Sequence, residues 1–195
     1  MERATDVLIV LADAESGDVC TRSACWTEHV RASPTTASAS TRVSGQRVVL
    51  WSPAVFSDRA LSAWRTWTGE LLAGLSVELV SGSESLPIGE SGGHGWETSR
   101  MLLEASRAAV ARGIWRVVWP VRRGAEASIS SSVERGMIAD RIADASDRAL
   151  LVSRLIALDC PQGDFAIETP YVDLSVLQVR QLAADMDMPE RLIVV

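Results

Sequence analysis

Arg122 and Arg123 form an adjacent pair just after a predicted strand. Each guanidinium offers a planar fork of donors that matches a phosphate or carboxylate through two parallel hydrogen bonds. Ser128, Ser130, Ser131 and Ser132 could add hydroxyl donors to the same ligand, although the segment also reads as a solvated loop. A second anion-binding candidate is Ser91-Gly-Gly-His-Gly95, a glycine-dense run whose backbone N–H groups could approach an anion. No predicted strand leads directly into that run, so it reads as a surface loop. His94 could act as a base near neutral pH, but the sequence fixes no carboxylate or serine beside it. All 19 basic residues are arginine, which excludes a Walker A lysine and a Schiff-base lysine. Cys20, Cys25 and Cys160 form no CxxC pair, and His29 follows Cys25 too closely for a zinc knuckle. They read as free thiols, and neither a metal site nor a particular catalytic residue is expected.

Elements must hold these groups in place, and the chain has enough length to build them. Its 195 residues suit one domain, spanning the whole chain, with a flexible loop at residues 32–44. Hydrophobic residues make up 47% of the chain, which excludes a disordered or collagen-like protein. A net charge of −6 argues against bulk electrostatic binding of nucleic acid. No apolar run is long enough to cross a bilayer, and residues 1–10 lack the basic start of a signal peptide. The expectation is a soluble, cytoplasmic protein with no membrane partner.

Short apolar runs alternate with amphipathic stretches. Strands are predicted at Asp6-Val-Leu-Ile-Val-Leu11, residues 47–51, 76–80, 114–119 and 165–169, with a short sixth at 192–195. Helices are predicted within 17–30, from Ser57 or Asp58 to Gly74, over 98–112, over 133–158 and over 175–186. Residues 81–95 read as a polar, glycine-rich loop. Gly113 carries a C-cap signal, and Ser175 with Gln178 forms a capping box. Strand–helix alternation implies parallel strands joined by crossovers, hence an α/β fold with a mostly parallel sheet of five or six strands. Ligands of such sheets sit beyond the carboxyl ends of the strands, where the strand order reverses.

The stretch Ile167-Glu-Thr-Pro-Tyr-Val-Asp-Leu-Ser175, continuing through Gln178-Val179 and Leu182-Ala183 to Met188-Pro189, is similar to the end of the PP-loop ATP pyrophosphatases. It resembles the 7-cyano-7-deazaguanine synthase group in particular, where a buried strand leads into proline, two hydrophobic residues, Asp-Leu-Ser/Thr and a helix. The likeness in sequence is confined to this stretch; at fold level it extends over nearly the whole chain. It implies a three-layer sandwich of the adenine nucleotide alpha hydrolase-like type. It implies also that ATP, with Mg²⁺, binds between the first and fourth strands and adenylates a substrate with release of pyrophosphate, as in queuosine biosynthesis.

The phosphate loop of that family, S-G-G-x-D-S, directly follows the first strand. The matching residues here are Leu11-Ala12-Asp13-Ala14-Glu15-Ser16, so Ala12, Asp13, Glu15 and Ser16 take its cofactor-binding positions. The final serine is kept and Glu15 stands for the aspartate, but both glycines are replaced. Asp13 would face pyrophosphate, and like unit charges ~4 Å apart repel by roughly 4 kcal/mol at an effective dielectric of ~20. The loop is therefore degenerate; read without the family, residues 13–16 cap a helix. Pro120-Val-Arg-Arg-Gly-Ala-Glu126 replaces the family's substrate and metal segment, Val176 replaces a lysine, and the zinc-binding cysteines after the last helix have no counterpart. The nitrile-forming reaction is not expected, and no zinc.

Seven tryptophans outnumber phenylalanine and tyrosine together. Most are expected in the core, Trp115 and Trp119 on one face of the fourth strand; Trp51 could line a nucleobase pocket. Two functions remain open. One is a degenerate PP-loop protein that binds a nucleotide or another small molecule through Ala12, Asp13, Glu15, Ser16, Trp51, Arg122 and Arg123. The other is a non-catalytic assembly protein, a homo-oligomer, using an apolar patch around Trp64 and Trp67.

Overall fold

The structure, a computed structural model, describes residues 6–10, 47–52, 76–82, 94–121, 132–160, 164–175, 178 and 181. Five strands and two helices follow along these residues: β1 (Val7–Val10), β2 (Arg47–Ser52), β3 (Ser76–Ser81), α1 (His94–Val110), β4 (Arg116–Val118), α2 (Ser132–Asp159) and β5 (Ala166–Glu168). All four pairings are parallel and the spatial order is β3-β2-β1-β4-β5. The α/β class with a parallel sheet is therefore as the alternation implies. Predicted elements at 17–30, 57–74 and 192–195 and the loop at 32–44 lie outside the described residues.

β1 is central, and Val7, Leu8, Ile9 and Val10 are buried on both faces, as a continuous apolar run in a covered sheet requires. Leu8, Val10, Val49, Trp51, Val117 and Trp119 share one core with Met101, Leu102, Ala105 and Ala109 of α1 and with Ala145, Ala149, Val152 and Ile156 of α2. Both helices thus cover one face of the sheet. Their apolar residues recur three and four apart, which is the spacing that lines one side of a helix.

Cap chemistry sets where elements stop. After α1 the Gly113 N–H donates to the Val110 carbonyl (2.9 Å) and the Ile114 N–H to the Ala109 carbonyl (3.0 Å). Those two bonds make a Schellman cap, with Gly113 at φ 71° where a side chain would be strained. Ile114 and Ala109, the apolar pair that accompanies such a cap, are both fully buried. At Ser175, where the last helix is predicted to begin, the Ser175 N–H donates to Gln178 Oε1 (2.9 Å) and the Gln178 N–H to Ser175 Oγ (3.2 Å), the reciprocal bonds of a capping box.

Two boundaries depart from expectation. β3 reaches Ser81 and α1 begins at His94, so the loop predicted over 81–95 is shorter, and His94 and Gly95 open a helix. β4 and β5 are three residues each rather than runs of five or six. Ile114 is taken by the α1 cap, which delays the start of β4. The Trp119 N–H still donates to the Glu168 carbonyl (2.9 Å), so the β4–β5 ladder continues one bond beyond the strand.

Candidate functional site at the strand reversal

Running β1 to β2 to β3 moves the chain one way across the sheet, and β4 to β5 moves it the other way. The reversal falls between β1 and β4, whose carboxyl ends are Val10 and Val118. In open α/β sheets such a reversal, beyond the carboxyl ends of the strands, is the usual ligand position. α1 and α2 each run from the carboxyl edge back toward the amino edge, because each joins the end of one parallel strand to the start of another. Their N-terminal ends, where N–H groups lack intrahelical partners and carry partial positive charge, therefore lie at the carboxyl edge of the sheet.

The floor of this edge is apolar. Trp51 pairs in register with Val10, and extending the β1–β4 register by one residue sets Trp119 on the other side of Val10. Trp51 and Trp119, each 1% exposed, thus flank the last residue of β1 on the face that the helices cover. Pro120 and Val121 continue the buried path. Trp119 Nε1 is buried without a hydrogen-bond partner, a state that costs roughly 1–3 kcal/mol for a donor removed from water.

Arg47, Arg112 and Arg116 are engaged at other places. At the amino edge the backbone N–H of Arg47 donates to Asp6 Oδ1 (3.1 Å), and its guanidinium donates to the Arg112 carbonyl (2.6 Å). Asp6 Oδ2 lies 3.4 Å from Arg47 Nε, close enough for charge attraction, though that Nε–H makes no well-directed hydrogen bond. Arg112 Nε donates to Glu78 Oε1 (3.0 Å), which ties the end of α1 to β3. Arg116 grips both oxygens of Glu168 at 2.7 and 2.8 Å, a two-pronged pair linking β4 to β5. Arg122 and Arg123 follow Val121 directly, so they are the arginines that leave the carboxyl end of β4.

Of the residues expected to bind a cofactor, Trp51 is the one the structure describes, and it is a packed core side chain near the carboxyl end of β2. Ala12, Asp13, Glu15, Ser16, Arg122 and Arg123 lie outside the described residues, as do Cys20, Cys25, Trp64 and Trp67. Cys160 is a free, half-buried thiol. Among the described residues no group of three or more histidine, cysteine, aspartate or glutamate side chains comes together to hold a metal, and no helix is long and apolar enough to cross a membrane. Trp119 was expected in the core; its missing hydrogen-bond partner had no signal in the sequence, because it depends on what surrounds the indole. No protein-family model matches the chain, and no curated protein matches it either.

Proposed function

We propose that this chain binds a phosphate-bearing small molecule, ATP foremost, in the crevice beyond β1 and β4. The reversal of strand order at the β1–β4 boundary supports this reading, because open α/β sheets bind ligands beyond the carboxyl ends of the strands at such a reversal. Arg122 and Arg123, next after the buried Pro120-Val121 path, would supply the charge that a phosphate needs. The flanking helix ends add a weaker positive field. The resemblance of residues 167–189 to the PP-loop ATP pyrophosphatases favours a nucleotide and the three-layer architecture of that fold. An active member would adenylate a substrate and release pyrophosphate, with Arg122 or Arg123 steadying the phosphate charge.

The floor built by Val10, Trp51, Trp119 and Val121 suits Mg²⁺ poorly, since it carries no carboxylate. A magnesium ion would therefore arrive with ATP rather than reside on this floor, and Asp13, which matches a glycine position of the phosphate loop, opposes the phosphates. Calorimetric titration with ATP and Mg²⁺, with AMP as control, tests the proposal. Micromolar binding of ATP that weakens at least about tenfold in Arg122→Ala, with AMP far weaker, supports it. No heat at millimolar ATP rejects it.

A further inference from the structure

We infer that the outer face of α2 pairs with the same face of a second copy of this chain, the two helices running antiparallel about a two-fold axis between residues 150 and 151. This inference is independent of nucleotide binding. Ala145, Ala149, Val152 and Ile156 form the inward stripe of α2. The side turned directly away from them carries Leu150, Leu151 and Leu158, with Leu155 at its margin, at 48%, 64%, 80% and 48% exposure. Together with Met137 on the same helix, these are the large hydrophobic side chains that the described residues leave exposed. Exposed leucines are ordinary one at a time; four within nine residues on one side of one helix form a contiguous apolar patch.

Charge on that face selects the partner. Asp147 and Arg154 lie along the centre of the leucine stripe, seven residues apart, and neither has an opposite charge three or four residues away on the helix. Neither takes part in the ion pairs made by the described residues. An antiparallel pairing about the stated axis sends position 147 to position 154 of the opposite copy. Asp147 then faces the partner's Arg154 while Arg154 faces the partner's Asp147, so both charges are matched twice in one interface. Near the axis, Leu150 meets the partner's Leu150 on one flank and Leu151 meets the partner's Leu151 on the other. Exposed Ala143 faces the partner's Leu158, small against large. Such self-complementarity is what a two-fold interface requires. A parallel pairing in register would instead place aspartate on aspartate and arginine on arginine. A helix contact over residues 143–158 is ~24 Å long, the small end of stable interfaces, so micromolar dissociation is expected.

Sedimentation of the full chain tests this with a charge exchange. The wild type should reach twice 21.0 kDa at micromolar concentration. Asp147→Arg alone, or Arg154→Asp alone, should weaken the dimer by about tenfold or more, since each puts like charges across both contacts. The double exchange should restore dimerisation. Mixing the two single variants should also restore it as a heterodimer, because one then carries arginine at both positions and the other aspartate. Far-ultraviolet circular dichroism should be unchanged in all of them, as these side chains make no ion pair within the described chain. A wild type that stays monomeric into the millimolar range overturns the inference. So do single variants that dimerise as well as the wild type, or a mixture that gains nothing over its components.

Discussion

Gly113 and Gly136 carry the same side chain, a lone hydrogen, yet an added methyl group should act in opposite directions at the two. At Gly113 no atom beyond its own residue and its two chain neighbours lies within 4 Å of the position a Cβ would take, so packing does not oppose a side chain there. The penalty is the backbone itself, held at φ 71° by the Schellman cap. Gly113→Ala should therefore cost about 1 kcal/mol, and Gly113→Asn less, since asparagine tolerates that conformation. Gly136 also has open space around its Cβ position, but it is exposed inside α2. Gly136→Ala should add about 0.5–1 kcal/mol, by helix propensity and by restricting the unfolded chain. Urea denaturation of the two variants checks both signs. The first of these roles could be read in advance, because Gly113 ends an apolar helical stripe. The unpartnered N–H of Trp119 could not, since nothing local in sequence predicts which acceptor a buried indole will meet.

Ser153 joins α2 to β5, an edge among the described strands. Its hydroxyl donates to the Ala149 carbonyl (2.8 Å) and accepts from the Ile167 N–H (2.9 Å), a backbone donor that β4 does not use. A free edge invites pairing with another chain, and this contact covers part of it. Ser153→Ala should lower stability by about 0.5–1.5 kcal/mol, the lost hydrogen bond being offset in part by the better helix propensity of alanine. It should also speed amide exchange at Ile167 more than at Leu8, which distinguishes loosening of the edge from general destabilisation. Helical periodicity located both long helices within a few residues. A glycine-dense run reads as a turn, so the sequence places the start of α1 later than His94. Gly95 sits in the first helical turn, where N–H groups have no helical acceptor in any case, so it disturbs little. Apolar runs overstate the length of the short strands for a related reason: hydrophobicity marks burial, whereas Ile114 is buried as part of a cap rather than in a ladder.

Alternation of strands and helices was sufficient to anticipate parallel pairing, because antiparallel neighbours would not need such long connections. It could not give the order β3-β2-β1-β4-β5, which depends on pairings far apart in sequence. The position between the first and fourth strands is already implied by the family resemblance; the strand order adds that the reversal falls at that same boundary. The same order fixes how the molecule should open. β1 has a neighbour on each side and four buried residues, while β3 and β5 are edges among the described strands. Native-state hydrogen exchange should show the amides of Leu8, Ile9 and Val10 exchanging only through global unfolding, with those of β3 and β5 released at lower free energy. Equal protection across all five strands would contradict this layered opening.

The central place of β1 also matters while the chain is being made. Val7 pairs with Val48 on one side and with Arg116 on the other, so its second neighbour is synthesised 109 residues later (116 − 7). At ~5–20 residues per second that interval lasts roughly 5 to 20 s. Throughout it the nascent chain carries an apolar strand, Val7–Val10, with at least one edge unfilled. The ribosome-bound intermediate is thus a natural client for a chaperone that recognises short extended hydrophobic segments.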